Sequence, residues 1–278
     1  MTLYIISTPI GNLGDITYRA VQTLEEVDFI ATEDTRVSSK LLNHFEIKKP
    51  LVSYFEHNKR EKGKEIIDRM LKGETCGIIT DAGTPAISDP GEDLVKLCFE
   101  NGIKVVPVVG ASAIASAISV SGQPSARFTF EGFLSVDKKA RFEHLESLKN
   151  EKRTMVFYEA PHKLKKTLND FYEVFGNRDL TICREMTKKY EEYIKTNLND
   201  AIRLYKEKEP RGEYALVIRG NEEQEASVDE NECIEKVLEL VNYGMSIKDA
   251  VKYISKENGI SKNLLYNSVI KKQKVEGK

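Results

Sequence analysis

Short runs of β-branched and apolar residues alternate along the chain with longer amphipathic segments, and this alternation limits the fold more than any other feature. Leu3–Ser7 is predicted to be the first strand, and after a loop Asp15 can cap an amphipathic helix that ends near Val27. Strands separated by helices predict an α/β protein with mainly parallel, helix-covered sheets. The other segments predicted to be strands are Phe29–Thr32, Leu51–Tyr54, Thr75–Thr80, Lys104–Val108, Phe128–Glu131, Thr154–Tyr158, Leu180–Arg184 and Tyr214–Arg219.

With 278 residues the chain is too long for one ordinary core. Gly122–Ser125 interrupts the pattern before it restarts, so we expect an N-terminal α/β domain over 1–121 and a second α/β domain over 122–222. Gly220–Asp229 is polar and acidic and is the expected linker. Residues 223–278 are predicted to form a small helical, helix-turn-helix-like extension.

Three helices are predicted in this extension. The first covers Glu230–Asn242, the second begins with a capping-box-like Ser246 and Asp249 and is ended by Gly259, and Ser261 can cap the third.

The distribution of charge along the chain indicates where a nucleic acid could bind. The formal net charge of −2 excludes a protein that is basic as a whole, so RNA contact requires a local patch. From Met245 onward there are eight lysines against three acidic residues, which makes the tail the best such patch. The alternative is a solvated helical surface with no partner.

Composition indicates a soluble globular protein, with 40% apolar and 31% charged residues. The four cysteines are widely spaced and form no CxxC pair, so we expect buried free thiols, and the four histidines are not paired at ligand spacing, so no metal site is expected. The N-terminus lacks the pattern of a signal peptide, and the apolar stretch Val105–Val120 is interrupted by Pro107 and Gly110. We therefore expect a cytoplasmic protein without membrane contact.

Ligands of open α/β sheets bind beyond the carboxyl ends of the strands. One turn at such an end, Asp81–Gly91, has eleven residues rich in Gly, Pro and Asp, far more than a simple turn needs. We expect it to bind a ligand. The usual nucleotide motifs GxGxxG and GxxxxGK[ST] are absent, as are HExxH and GxSxG.

The loops after the strands carry a resemblance to a known family. The ordered set resembles the small-subunit ribosomal RNA methyltransferase I family of the tetrapyrrole methylase superfamily over about residues 1–220, and the helical tail is similar as well. The segments that carry it are Leu3–Leu13, Glu33–Arg36, Asp81–Gly91, Glu131–Leu134, Tyr158–His162, Arg184–Lys188 with Glu191 and Glu192, and Arg211–Glu213.

This resemblance implies a two-domain fold that is usually a homodimer, with S-adenosyl-L-methionine held folded in the cleft between the domains. The implied product is a cytidine 2′-O-methylated on its ribose in 16S ribosomal RNA near the decoding centre. The residues that the resemblance places around the cofactor are Pro9, Asp81, Ala82, Gly83, Thr84, Pro85, Ile87, Ser112, Tyr158 and Ala215.

The resemblance leaves the proton acceptor open. The candidates are Asp34, Glu159, His162, Glu185 and Glu213. Structural alternatives are equally compatible: Asp34 could cap a helix, His162 could be a first-turn helix residue, and Glu185 could only pair with Lys188. Because a guanidinium binds phosphate bidentately, we expect Arg36 and Arg211, together with Lys188, to hold an RNA phosphate. Lys248, Lys252 and Lys262 are the expected RNA contacts of the tail.

The chain departs from the family pattern at Phe55, at Ser135–Asp137 and at Lys163, which bears on RNA contact rather than on the cofactor. One alternative function is methylation of a porphyrin-like ring or of a modified histidine in a translation factor. Those enzymes usually carry a Gly-x-Gly turn after the first strand, where this chain has Ser7–Gly11. The other alternative is a ribosome-binding assembly factor without catalysis, which would not need the Asp81–Gly91 loop.

Overall fold

The computed structural model describes residues 1–221, 230–258 and 260–276. The first sheet has five parallel strands in the order β3-β2-β4-β1-β5. Every residue of β2 and β4 is buried, which explains why these central strands are unbroken apolar runs. The strands are Thr2–Ile6 (β1), Phe29–Thr32 (β2), Leu51–Ser53 (β3), Cys76–Ile79 (β4) and Lys104–Val108 (β5).

Five helices accompany this sheet: Tyr18–Glu26 (α1), Thr35–His44 (α2), Lys59–Leu71 (α3), Glu92–Glu100 (α4) and Ala113–Val120 (α5). The predicted cap of α1 was wrong. Asp15 lies in a separate 3₁₀ turn, Leu13–Asp15, and the side chain of Thr17 accepts the backbone N–H of Ala20 at 3.1 Å. Thr17 has the extended backbone of an N-cap, so its hydroxyl satisfies a helix donor that Asp15 cannot reach.

The second sheet has the order β6-β7-β10-β8-β9. Its strands are Phe128–Phe133 (β6), Thr154–Glu159 (β7), Asp179–Arg184 (β8), Glu192–Asn197 (β9) and Tyr214–Ile218 (β10). Its helices are Lys138–Ser147 (α6), Pro161–Phe175 (α7) and Leu198–Glu207 (α8).

The prediction of mainly parallel sheets was wrong for this second sheet. Only β6 and β7 are parallel, whereas β10 runs antiparallel to both β7 and β8, and β8 runs antiparallel to β9. The strand β9 was not predicted, because its polar sequence lacks an apolar run. The loop from β8 to β9 contains no helix, so the chain reverses there and an antiparallel pair results.

Both sheets belong to one compact unit, Met1–Asn221. The domain boundary at 121/122 stays a prediction. The second unit contains the helices Glu230–Asn242 (α9), Ile247–Asn258 (α10) and Lys262–Glu276 (α11), whose core includes Val237, Ala250 and Leu265. The predicted cap of α10 is confirmed, since the Ser246 hydroxyl accepts the Asp249 backbone N–H at 3.2 Å. The predicted linker from 222 onward and the helix stop at Gly259 lie outside the described residues.

All four cysteines are free and buried, as expected. Across 1–221, 230–258 and 260–276, no helix has the length and apolarity that crossing a membrane requires.

Candidate active site

A cleft of about 660 Å³ lies where the loops at the carboxyl ends of the first sheet face the second sheet. Its size is that of a small-molecule site. Twelve residues from the half with the first sheet and ten from the half with the second sheet line it: Ile10, Glu33, Asp81, Ala82, Gly83, Thr84, Ile87, Ser88, Asp89, Ser112, Ala113 and Ile114, then Phe133, Tyr158, Glu159, Ala160, Pro161, His162, Met186, Glu213, Tyr214 and Ala215.

The floor of the cleft is built by hydrogen bonds between three loops. Thr8 and Gly83 exchange two backbone hydrogen bonds of 2.8 and 3.1 Å. The hydroxyls of Ser7 and Thr84 are 2.9 Å apart, and Thr84 also donates to the carbonyl of Ala111 at 3.1 Å. These contacts join the loops after β1, β4 and β5 and hold the backbone close to any ligand.

The Asp81–Gly91 loop stores backbone strain around one exposed apolar side chain. Ala86 and Ser88 have φ values of 66° and 62°, which are unfavourable for residues with a side chain. Ile87 lies between them and is 43% exposed. Gly91 packs so closely on Ala86 that an added Cβ would lie 3.1 Å from the Ala86 Cβ. The folded-back loop therefore presents Ile87 to the cleft.

One end of the cleft is acidic. Burial and the neighbouring carboxylates Glu33 and Asp81 raise the pKa of Asp89 to about 6. Burial also raises the pKa values of Glu33 and Asp81, and Asp34 adds to both shifts. No lysine or arginine among the described residues lines this end of the cleft, although the charge of Arg36 acts on Asp81.

The second sheet closes the cleft with an aromatic group. The ring of Tyr158 packs edge-on against Phe130 at 4.9 Å and Phe133 at 5.5 Å between centroids, and Ala215 is its cross-strand neighbour. Burial and the charge of Asp89 raise the pKa of Tyr158 to about 12, so its hydroxyl stays protonated at neutral pH.

Among the predicted cofactor residues, eight line the cleft: Asp81, Ala82, Gly83, Thr84, Ile87, Ser112, Tyr158 and Ala215. Pro9 and Pro85 are next to lining residues without lining it themselves. They shape the loops after β1 and β4, because proline restricts the backbone. The functional role of all ten stays a prediction.

The proton-acceptor candidates differ in the hydrogen bonds and ion pairs that they already make within the protein. Asp34 accepts the Arg36 backbone N–H at 2.8 Å as the cap of α2, and the Arg36 guanidinium binds it bidentately at 2.6 and 3.0 Å. Arg36 holds the pKa of Asp34 at about 2. Because a carboxylate with so low a pKa accepts protons weakly, and because neither residue lines the cleft, Asp34 is a poor base in this arrangement.

Glu159 lines the cleft but is buried and already bonded. It accepts the Thr167 hydroxyl at 2.5 Å and the Ala160 backbone N–H at 2.8 Å, so it fastens β7 to α7. His162 also lines the cleft and is exposed on the first turn of α7.

Glu185, Lys188 and Glu213 form one network beside the cleft. The Lys188 ammonium contacts Glu185 at 3.0 Å and Glu213 at 2.8 Å, and the Glu213 backbone N–H donates to Glu185 at 3.0 Å. Burial opposes the charge of Glu185, but these donors outweigh it and lower its pKa. Only Glu213 of the three lines the cleft.

The predicted RNA contacts lie on exposed surfaces. Arg211 precedes β10 and is exposed, and Arg36 is exposed over 87% of its side chain. In the C-terminal unit Lys248, Lys252 and Lys262 are exposed as well.

Sequence reasoning passed over several lining residues. Glu33 and Asp89 lie in segments that carry the family resemblance but were not predicted as site residues, although their loops follow buried strands at the carboxyl edge of the sheet. Phe133, Met186 and Tyr214 come from β6, from the loop after β8 and from β10, and they were not predicted as site residues because the antiparallel order that brings these elements together was not predicted. Within the described residues, no group of three or more His, Cys, Asp or Glu side chains is arranged to hold a metal ion.

Comparison with known proteins shows which family this chain resembles in sequence. Residues 2–202 match the family model of tetrapyrrole (corrin/porphyrin) methylases. The chain is 45% identical over 270 residues to ribosomal RNA small subunit methyltransferase I of Halalkalibacterium halodurans, which covers 96% of this chain and 93% of that protein. It is 42% identical over 278 residues to the enzyme of the same name from Bacillus subtilis, covering 98% and 94%.

A shorter relative carries the same name. The Thermotoga maritima protein is 48% identical over 220 residues, which are 79% of this chain but 99% of that protein. About a fifth of this chain therefore has no counterpart there.

Two solved structures are similar in fold. A cobalt precorrin-4 methyltransferase of cobalamin biosynthesis superimposes with a TM-score of 0.59 at 19% identity, covering 78% of this chain and 94% of that one. A diphthine synthase superimposes with a TM-score of 0.61 at 12% identity, covering 79% and 90%.

Proposed function

Since this chain belongs to the tetrapyrrole methylase family, we propose that it methylates the ribose 2′-hydroxyl of a cytidine in 16S ribosomal RNA, near the decoding centre. The observation that carries the proposal is the identity of 42–45% over almost the whole chain to enzymes named ribosomal RNA small subunit methyltransferase I. The methyl donor is S-adenosyl-L-methionine.

The cleft fits such a donor. Its volume of about 660 Å³ suits a nucleoside-sized ligand, and Ile10, Ile87 and Ile114 give it an apolar surface on which an adenine can lie. Gly83 and Thr84 line the part of the cleft that would take the methionine end. When bound, the donor supplies a methyl group on a positively charged sulfur.

The protein has to position the acceptor and help it lose a proton. Transfer to an oxygen is an in-line displacement, for which holding the reacting atoms at near-attack distance is a large part of catalysis. His162 and Glu213 are the candidate bases that line the cleft without burial, while Glu159 is occupied by Thr167. Arg36, Lys188 and Arg211 would hold the phosphate beside the reacting ribose.

The proposal includes a homodimer in the cytoplasm that acts on 16S rRNA in the small subunit. Exposed apolar residues next to the cleft loops, such as Val109 at 73% and Tyr18 at 99%, support a protein partner. Sedimentation equilibrium tests the dimer directly, and a monomer at micromolar concentration would contradict it.

The decisive experiment maps ribose methylation of 16S rRNA from cells that lack the gene. We expect one cytidine to lose its 2′-O-methyl group and the purified protein with S-adenosylmethionine to restore it on isolated small subunits. Unchanged methylation would refute the acceptor. Binding of S-adenosylmethionine without any RNA methylation would favour a small-molecule acceptor instead.

A further inference from the structure

The lining of the cleft is strongly acidic. It contains five carboxylates and, among the described lining residues, neither a lysine nor an arginine; the acids are Glu33, Asp81, Asp89, Glu159 and Glu213. Two of the five are engaged within the protein. Thr167 and a backbone N–H bind Glu159, and the Lys188 ammonium lies 2.8 Å from Glu213.

The other three carboxylates gather at the carboxyl ends of β2 and β4. All three line the same cleft, and the charges of Glu33 and Asp81 both raise the pKa of Asp89. Arg36, whose positive charge acts on Asp81, is held by two hydrogen bonds on Asp34. Because Arg36 is paired with Asp34, it offsets only part of the negative charge of the acid triad of Glu33, Asp81 and Asp89.

The donor and its product differ by one charge. S-adenosylmethionine carries a sulfonium, an ammonium and a carboxylate, so it has one net positive charge, whereas S-adenosylhomocysteine has lost the sulfonium charge and is neutral overall. In a cleft with apolar walls such a charge is attracted over several ångströms. A single carboxylate about 10 Å away, at an effective dielectric constant of about 20 to 40, changes affinity roughly 4- to 15-fold.

We propose that the acid triad of Glu33, Asp81 and Asp89 makes the cleft prefer the cationic methyl donor over its neutral product. The inference rests on the proposed function, since it takes S-adenosylmethionine as the donor. The same charge repels RNA phosphates, so the RNA backbone has to stay at the rim near Arg36 and Lys188. Loss of the sulfonium charge on methyl transfer weakens the attraction and promotes exchange of the product.

Isothermal titration of the full-length protein with three ligands tests this charge preference. The ligands are S-adenosylmethionine, S-adenosylhomocysteine, and sinefungin, which carries a cationic amine at the sulfonium position. The variants are Glu33→Gln, Asp81→Asn and Asp89→Asn, which remove charge at nearly constant shape. Glu100→Gln on α4, outside the cleft, is the matched control.

We expect the wild-type protein to bind S-adenosylmethionine and sinefungin more tightly than S-adenosylhomocysteine. Each triad variant should weaken the two cationic ligands roughly 4- to 15-fold and S-adenosylhomocysteine less than about twofold. Retained binding of the neutral product shows at the same time that the cleft is folded. Glu100→Gln should change none of the three affinities.

An equal loss of affinity for all three ligands would overturn the inference, because the triad would then contact a part of the molecule that all three ligands share instead of attracting the positive charge. A wild-type protein that binds both cationic ligands no better than the neutral one would also overturn it while leaving the proposed function intact. Failure to bind any of the three would instead refute the methyl donor itself. If a variant does not fold, rising NaCl on the wild-type protein gives the same comparison, since screening must weaken only the cationic ligands.

Discussion

Arg36 and Asp34 form an exposed bidentate pair at the first turn of α2. An RNA phosphate can replace the carboxylate, since both offer the guanidinium two oxygens. We expect Arg36→Ala to lower methylation of small subunits roughly 100-fold or more, because the ribose is then poorly placed. Binding of S-adenosylmethionine should change less than about twofold.

Arg36→Lys is the informative control for this prediction. Lysine keeps the positive charge but lacks the paired N–H donors of the guanidinium, so this variant should recover only part of the activity. Full activity of Arg36→Ala in a filter assay with radiolabelled donor would remove Arg36 from the site.

Asp89 leads to a pH prediction. Its pKa is raised to about 6, so it is mostly ionised at pH 7.5 and mostly protonated at pH 5.5. As pH falls through this range the cleft loses negative charge, and affinity for S-adenosylmethionine should fall while that for S-adenosylhomocysteine stays nearly constant. Glu33 and Asp81, whose pKa values are also raised, titrate in the same direction, while Tyr158 with its pKa of about 12 stays neutral.

Titration calorimetry at four or five pH values between 5.5 and 8 measures this dependence. His162 faces the cleft from α7 and belongs to the residue type that changes charge in this range, so His162→Gln is the necessary control. The dependence should persist in His162→Gln and be reduced in Asp89→Asn. The opposite pattern would assign it to the histidine.

Part of the site could be predicted at the level of residues. The Asp81–Gly91 loop was identified because its length, glycines and prolines exceed what a turn requires, and most of its predicted residues line the cleft. The engagement of Glu159 with Thr167, eight residues away, depends on how β7 meets α7, which no local pattern encodes. The same holds for the effect of Glu33 on the pKa of Asp89, because the two residues lie in loops that follow different strands.

At the scale of elements, the first helix provides a sharp test of the corrected cap. The Thr17 hydroxyl caps α1, whereas Asp15 lies in a 3₁₀ turn. Thr17→Ala should lower the free energy of unfolding by about 1 kcal/mol, and Asp15→Ala should change it by less than about 0.5 kcal/mol. Urea denaturation followed by circular dichroism measures both, and equal effects would contradict the assignment.

The elements of the first sheet follow from local signals, because its strands are buried apolar runs joined by helices. The bounds of α7 also follow from local signals, since Pro161 is favoured at a helix start and the apolar spacing continues to Phe175. The second sheet was harder. Its strand β9 is half exposed and polar, and its pairing with β8 depends on contacts made only after the chain reverses.

At the scale of the whole molecule, the C-terminal helices form a compact unit of their own, in addition to the unit that holds the cleft in its loops. The T. maritima relative is matched over 99% of its length by 79% of this chain. We expect the chain cut after Asn221 to bind S-adenosylmethionine within about twofold of the full-length protein. Its affinity for small subunits should be lower and less sensitive to salt.

A full-length variant tests whether the tail lysines cause this salt-sensitive binding to small subunits. It combines Lys248→Gln, Lys252→Gln and Lys262→Gln. If these lysines contact phosphates, the logarithmic salt slope of binding should fall by up to about 2 to 3. Filter binding at several KCl concentrations provides the slope. An unchanged slope would leave the tail as a solvated surface.

The strand order of the second sheet has a consequence for synthesis of the chain. β10 is its central strand, yet it is the last of the ten to be translated. At the usual rate of synthesis β10 emerges from the ribosome roughly 2 to 7 seconds after β8, and during that interval β7 and β8 lack the strand that joins them. In the first sheet the joining strand is β4, which is not the last to be made, and the last strand, β5, is added at an edge. Nascent chains that stall in this window would expose two unpaired apolar edges, so they are the form of this protein most in need of a chaperone.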